Sequence, residues 1–190
     1  MFVDIVFPKD NEEEFLEVAK KLKSKLVFIG SKPEKVSGTY SGQLVVNTGG
    51  IKKGFDLNIG KAKREFIESK KVDLIFGFED ESFKDGMHQR NSGLNHVLCK
   101  LAKDKNKMIA FDFSLLLHAK DKQLVFGRML QNAMLLKKFK NQVVIASFAK
   151  NPYELRSGKD YQALLEELGF DIPSAKTAVN RLGDFLNSKL

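Results

Sequence analysis

The sequence predicts an α/β fold built on parallel strands, and three observations carry that prediction. Short apolar runs alternate along the chain with segments whose apolar residues recur at helical spacing. Those runs are apolar at successive positions, as expected when both faces of a strand are covered. The order strand-then-helix repeats, which implies parallel strands with right-handed crossovers. An open doubly wound sheet and a (β/α) barrel both satisfy these observations. The usual barrel has about 250 residues, so a chain of 190 would make a lean one. Residue physics alone leaves both architectures open.

The elements follow in order. Phe2 to Phe7 reads as the first strand, ended by Pro8. Residues 12 to 23 read as a helix with Phe15, Leu16, Ala19 and Leu22 on one face. Lys25 to Ile29 is the second strand, and Gln43 to Asn47 the third, before Thr48, Gly49 and Gly50. Residues 30 to 42 read as loop, and 51 to 59 carry no clear pattern. Lys61 to Ser69 reads as helix and Val72 to Phe78 as strand, followed by a charged loop to Asn91.

Ser92 is the expected N-cap of the next helix, which runs to Lys103 with Leu94, Val97, Leu98 and Leu101 inward. A strand follows at Met108 to Phe113. The long helix Gln123 to Lys140 is expected to turn Phe126, Met129, Leu130, Ala133 and Leu136 inward, with Arg128 and Lys138 near its outer side. Val143 to Ser147 is the last clear strand. Three short helices close the chain at 152–156, 160–168 and 174–187.

Length favours a single domain over residues 1–190, and 43% apolar residues with sixteen Phe can fill a core. The lone Cys99 rules out an internal disulfide and a Cys-rich zinc site, and reads as a small core filler. The N-terminus lacks the basic start and apolar run of a signal peptide. Nothing approaches the roughly eighteen apolar residues of a membrane span. A soluble cytoplasmic protein with no membrane partner is expected.

The net charge of +8 is unevenly distributed. Residues 1–95 hold 16 Lys and Arg against 15 Asp and Glu, whereas residues 96–159 hold 13 against 4. Positive charge confined to one part of a fold is the electrostatic footprint of a polyanion partner, although a lysine-rich solvated surface gives the same count.

Enzyme motifs are sparse. The three histidines, His88, His96 and His118, form no H-x-H pair. Carboxylate-only binding of Mg²⁺ by Asp4, Glu79, Asp80 and Asp112 stays open, because that ion accepts oxygen ligands. Residues 79–81 read more simply as loop solubility and capping. The stretch from Gly54 to Ala62 fails as a phosphate loop: it has one residue too many between its glycines, and Ala62 stands where Ser or Thr would hold Mg²⁺. No G-x-S-x-G elbow or nucleophile pair is visible.

Binding residues are more apparent. Arg90 precedes a helix start, where backbone N–H groups and the dipole already favour phosphate, and its guanidinium could add a bidentate grip. His96, Lys100 and Lys103 extend that positive face at helical spacing. The competing reading pairs Arg90 with Glu81 or Asp85 and leaves the lysines solvated. Lys107, beside Lys105, flanks the turn into the next strand. Arg128 and Lys138 on the long helix are further candidates, although cations at 137, 138 and 140 also complement a helix C-terminus. Arg156 is another candidate, with helix capping or a pair with Asp160 as its alternative. No RNP-like aromatic pattern, KH loop or zinc finger occurs, so RNA recognition would rest on shape and backbone.

Three segments carry a resemblance: RNSGLNHVLCKLA at 90–102, MIAFDFSLLL at 108–117, and VVIASFAKNPYELRSGKDYQALLEELGF at 143–170. Together they resemble the archaeal component 3 (p30-type) family of ribonuclease P proteins over the C-terminal two thirds. The first forty residues match only in layout and are more acidic, including Glu12, Glu13 and Glu14. The resemblance implies a lean TIM-type barrel related to the polymerase and histidinol phosphatase superfamily, with about seven parallel strands and extra C-terminal helices. It implies a non-catalytic subunit supporting a catalytic RNA that removes the 5′ leader of precursor tRNA. Mg²⁺ would serve the RNA, and the chain itself would bind no cofactor or metal. Partners would be ribonuclease P RNA and the Pop-type protein component 2, as a heterodimer or heterotetramer, with precursor tRNA contacted indirectly. Against this stand a metal-dependent phosphoesterase with ions near Asp4 and Asp112, and a plain scaffold whose charge is incidental.

Overall fold

The computed structural model describes residues 2–33, 36–80, 85 and 91–189. Seven strands lie in one sheet in chain order, every neighbouring pair parallel: β1 Val3–Val6, β2 Lys25–Ile29, β3 Tyr40–Val45, β4 Leu57–Lys61, β5 Leu74–Phe76, β6 Met108–Asp112 and β7 Gln142–Ala146. The helices are α1 Glu12–Leu22, α2 Arg64–Glu68, α3 His96–Asp104, α4 Phe113–His118, α5 Lys122–Phe139, α6 Gly158–Glu167 and α7 Ile172–Asn187, with a 3₁₀ turn at Pro152–Glu154. The sheet's two edges meet. Val6 bridges Ala149 in parallel, and the Phe7 N–H donates to Ala149 O at 2.8 Å. A sheet that curls back on itself in this way is a barrel, here nearly closed.

Alternation along the strands separates two packed layers. Val3, Ile5, Leu57, Leu74, Met108 and Val144 fill the interior. Ile75, Ile109, Phe111 and Val143 point outward against helical residues such as Cys99, Met129 and Leu165. The N-terminal end of the barrel is stopped by α7. Its Leu182 and Leu186 are buried in the interior cluster. Near its end, Asn187 Oδ1 accepts from Tyr40 Oη at 3.0 Å, and Lys189 Nζ reaches Asp73 Oδ1 at 3.1 Å, beside the starts of β3 and β5. At the opposite end Phe76 stacks on Phe148 with ring centroids 4.4 Å apart, and Phe7 lies 6.5 Å from Phe148. All three rings sit at strand C-terminal ends, where a barrel normally opens to its ligands.

The seam between β1 and β7 is completed by a side chain. Asp4 Oδ1 accepts the N–H groups of Ile5 at 2.8 Å and Ser147 at 2.6 Å, and Ser147 Oγ donates to Ile5 O at 3.2 Å. Asp4 is fully buried. Its carboxyl therefore replaces ladder hydrogen bonds that the last turn of the barrel does not form.

Several expected boundaries move. The third strand occupies Tyr40–Val45, not Gln43 to Asn47, and Val46 is exposed. The unassigned stretch 51–59 contains the start of β4, whose Leu57 and Ile59 alternate with Asn58 and Gly60. Lys61 ends that strand, and α2 begins only at Arg64. Gly60, half of the rejected phosphate loop, has a packing role: a Cβ there would come within 2.7 Å of the Phe66 ring. Between β6 and the long helix, Phe113–His118 form a helix of their own, α4.

Candidate nucleic-acid interface

The cationic helix begins three residues later than its sequence suggests. Ser92 is buried and its Oγ donates to Asn132 Oδ1 at 2.6 Å, so it is not the cap. Asn95 caps α3 instead, its Oδ1 accepting from the Leu98 N–H at 3.0 Å. Both residues are good caps in isolation, and a tertiary partner on α5 claims the serine. Cys99 and Ala102 are the buried residues of α3, and Cys99 packs as the expected core filler, burial pushing its thiol up to about 11. Val97, expected inward, is 49% exposed. The exposed face carries His96, Lys100 and Lys103, and among the described residues none of them joins a salt bridge.

The remaining candidates divide sharply. Lys138 is exposed on α5. Arg156 is half-buried: its Nη1 donates to Tyr153 O at 3.0 Å and Leu155 O at 2.8 Å, and its guanidinium lies 5.8 Å from the Phe113 ring centre. It clamps the turn after β7, while Asp160 closes a capping box with Ser157. Arg90 and His88 lie outside the described residues.

Two expectations fail on burial. Lys107 is 6% exposed and its Nζ donates to Val72 O; desolvation lowers its pKa. Arg128, expected near the outer side of the long helix, is 1% exposed. Its Nη1 donates to Asp80 O, and its Nη2 lies 2.8 Å from Asp85 Oδ1. The reason is that α5 packs against both α3 and α4, so more than one of its faces is enclosed. Asp85, considered above as a partner for Arg90, holds Arg128 and also accepts the Asn91 N–H at 2.7 Å.

Next to Arg128, the sequence reading missed a buried polar chain. Ser92 donates to Asn132, and Asn132 Nδ2 donates to Glu79 Oε1 at 2.6 Å. Glu79 is 1% exposed, so it is not a solubilising loop residue. Burial, with a smaller push from Asp112, raises its pKa to about 7. The available signal was the spacing of Arg128 and Asn132: two polar residues four apart amid apolar neighbours mark a polar stripe facing inward.

The strand ends hold carboxylates, and one oxygen of each accepts backbone N–H groups, the other oxygen of Asp4 being buried with no hydrogen-bond partner among the described residues. Asp112 caps α4 through the Leu115 N–H at 3.2 Å, and burial raises its pKa to about 7. Burial raises Asp4 to about 7 as well, although it serves the seam. A pocket of about 450 Å³ is lined by Asp80, Ser114, His118, Lys150 and Glu154 among others. Glu154 is engaged on both oxygens: His118 Nε2 lies 3.0 Å from its Oε1, and its Oε2 accepts the backbone N–H of Lys150 at 3.0 Å. Among the described residues no three His, Cys, Asp or Glu side chains come together as a metal-binding group. What the geometry presents outward is a face of α3 whose basic residues join no salt bridge among the described residues.

The family model described as RNase P subunit p30 matches residues 60–184, more than half of the chain. The chain belongs to this family. Two curated relatives are named ribonuclease P protein component 3. The one from Archaeoglobus fulgidus is 28% identical over 121 residues, 63% of this chain and 55% of the relative. The one from Methanocaldococcus jannaschii is 31% identical over 112 residues, 57% of this chain and 44% of the relative. The chain thus spans about half the length of the curated relatives it matches. A chain in a cryo-EM structure of archaeal ribonuclease P with mature tRNA superposes with a TM-score of 0.79 at 21% identity, covering 98% of this chain and 90% of that one. A histidinol phosphate phosphatase from Lactococcus lactis, solved with zinc, histidinol and phosphate, superposes with a TM-score of 0.57 at 7% identity over 90% of this chain and 94% of its own. These two likenesses place the p30 chain in the same barrel fold as a phosphatase. No helix among the described residues is long and apolar enough to cross a membrane.

Proposed function

We propose that this p30-family chain is a cytoplasmic protein subunit of ribonuclease P that binds the catalytic RNA and supports its removal of the 5′ leader from precursor tRNA. The observation that carries the reading is the exposed face of α3, where His96, Lys100 and Lys103 stand without ion-pair partners among the described residues. Lys138 is a further proposed contact, as is Arg90, which lies outside the described residues, and Arg156 contributes the part of its guanidinium left by its two carbonyl contacts. Arg128 and Lys107 do not, because both are buried, Arg128 held by the Asp85 carboxylate and the Asp80 carbonyl and Lys107 by the Val72 carbonyl.

The mechanism is electrostatic. RNA phosphates repel one another, and fixed cations offset that repulsion, so the folded RNA holds its active shape at lower Mg²⁺. The Mg²⁺ serves the RNA, which performs the hydrolysis; the chain contributes no reactive group. A Pop-type component 2 is the protein partner in this proposal, forming a heterodimer or heterotetramer, with precursor tRNA reached through the RNA. The phosphoesterase alternative is less well supported. It would draw on Asp4 and Asp112, yet one oxygen of each accepts backbone N–H groups.

Reconstitution tests the proposal. The chain, its Pop-type partner and the RNA subunit are combined, and precursor-tRNA cleavage is followed at limiting Mg²⁺. Stimulation by wild-type chain is expected, with a loss in a His96→Gln, Lys100→Gln, Lys103→Gln variant. Each phosphate contact by a cation adds roughly 0.7–0.9 to the slope of log affinity against log salt, so loss of the two lysines should lower the variant's slope by about 1.4 to 1.8. Unchanged stimulation and slope would refute the assigned surface. Turnover of phosphate esters by protein alone would favour the phosphatase-like alternative.

A further inference from the structure

We propose that a groove between the end of α5 and α7 as far as Arg181 is a second phosphate-binding surface for structured RNA, continuous with the face of α3. This inference rests on the ribonuclease P reading above and adds a contact surface to it. The groove has a volume of about 510 Å³ and lies beside the N-terminal end of β7, away from the aromatic-filled mouth. Lys137 and Lys140 line it from the α5 side and Arg181 from α7, over a floor that includes Val143 and Phe170. Asp171 is the one carboxylate in the lining, and its Oδ1 accepts the Ser174 N–H at 2.7 Å as the cap of α7. Three cations against Asp171 and the nearby Asp184 leave the groove net positive by one.

The cations are held in position by the protein's own carbonyls. Lys137 Nζ donates to Gly169 O at 2.6 Å and lies 5.6 Å from the Phe170 ring centre. Arg181 Nε donates to Val143 O at 3.1 Å, and no hydrogen bond of its Nη groups is found among the described residues. Neither residue, nor Lys140, forms a salt bridge among the described residues. Carbonyl contacts orient these side chains, while Asp171 acts on Lys137 and Asp184 on Arg181 without salt-bridge contact, so part of the positive charge is left for an incoming phosphate. An arginine anchored through Nε still has its outer N–H groups for a bidentate contact.

The size and continuity of the surface favour an RNA backbone. Asn141 Nδ2, on the turn after α5, donates to Cys99 O in α3 at 2.8 Å. Gln142 Nε2 donates to Asn106 Oδ1 in the turn after α3. These contacts join the two turns, so the row His96, Lys100, Lys103 descends α3 to the same end of the barrel at which Lys140 stands. A row of cations extending over two helices and into a groove matches repeated phosphates along a strand, which is how nucleic acid is held without base readout.

The test compares full-length variants for binding to an archaeal ribonuclease P RNA transcript, by fluorescence anisotropy at 50 and 200 mM salt. Lys140→Asn removes a charge and keeps the left-handed backbone, φ 53, that Asn tolerates. Thr177→Glu adds a carboxylate at an exposed position of α7 in the groove. The double variant should bind on the order of tenfold more weakly at 200 mM salt, with a salt slope lower by about 1, and with an unchanged thermal midpoint. Arg181→Gln should give the same direction, its urea midpoint reporting any loss of fold. Wild-type affinity and slope in the double variant would overturn the groove while leaving the ribonuclease P reading intact, provided the α3 variant still loses binding. A wild-type chain that ignores the RNA at 50 mM salt overturns both. Loss of association with an acidic protein partner, with RNA binding intact, would reassign the groove and refute its RNA role.

Discussion

Replacing Asp4 tests whether the barrel seam is held by a side chain. Asp4 Oδ1 accepts two buried N–H groups, those of Ile5 and Ser147. Asp4→Ala leaves both without an acceptor. A buried unsatisfied donor costs about 1–3 kcal/mol, so the variant should lose roughly 2–6 kcal/mol, a large part of the about 5–15 kcal/mol that holds a typical domain. Asp4→Asn keeps a carbonyl oxygen for both donors and should stay within about 1 kcal/mol of wild type near pH 7. The carboxyl also has a pH signature. Burial raises it from 3.8 to about 7, so between those values the folded chain holds a proton that the unfolded chain has released. Its contribution to stability is fully present below about pH 4 and is lost as pH rises through about 7, on the order of 4 kcal/mol in all. Asp4→Asn should flatten that part of the profile. Urea unfolding from pH 4 to 8, followed by circular dichroism, measures both effects. An alanine variant as stable as wild type at pH 6, or an asparagine variant as damaged as the alanine, would refute the seam.

Glu79 and Asp112 are also raised to about 7 by burial; they share the sign worked out for Asp4, and Glu79→Gln should likewise reduce the fall in stability between pH 4 and 7. Arg128→Met removes the partner of Asp85 and the donor to Asp80 O; a loss of about 3 kcal/mol in urea unfolding is expected, and a variant of full stability with weakened RNA binding would restore Arg128 to the interface. Asn95→Ala removes the cap of α3 and should cost about 1 kcal/mol, whereas Ser92→Ala should act through Asn132 and Glu79; a cap-sized effect at Ser92 alone would contradict the observed helix start.

The cationic helix shows why some residues were legible and others were not. His96, Lys100 and Lys103 recur at 3.6-residue spacing opposite buried positions, and such a pattern is local, so it survives folding unchanged. The same reasoning failed at Arg128, because a helical wheel assumes one buried face while α5 packs against two neighbours. Charge was read as exposure, yet the Asp85 carboxylate, 43 residues earlier in the chain, pairs with it, and the Asp80 carbonyl, 48 residues earlier, accepts from it. Ser92 failed similarly: its capping chemistry is local, but Asn132 is 40 residues away. The strand β4 was obscured because Asn58 and Gly60 interrupt its apolar positions, and only burial of Leu57 and Ile59 reveals the alternation.

By itself the sequence determined the alternation of strands and helices, the parallel sheet that follows from it, and the concentration of positive charge after residue 95, since each is a property of neighbouring residues or of composition. Motif resemblance then named the family and the barrel. Only the tertiary structure decided how the barrel closes and which cations remain outside. Closure rests on Asp4 and Ser147, 143 residues apart, and exposure rests on what packs over each side chain. Both are long-range pairings, and no local period in the chain encodes which distant group will arrive to make them.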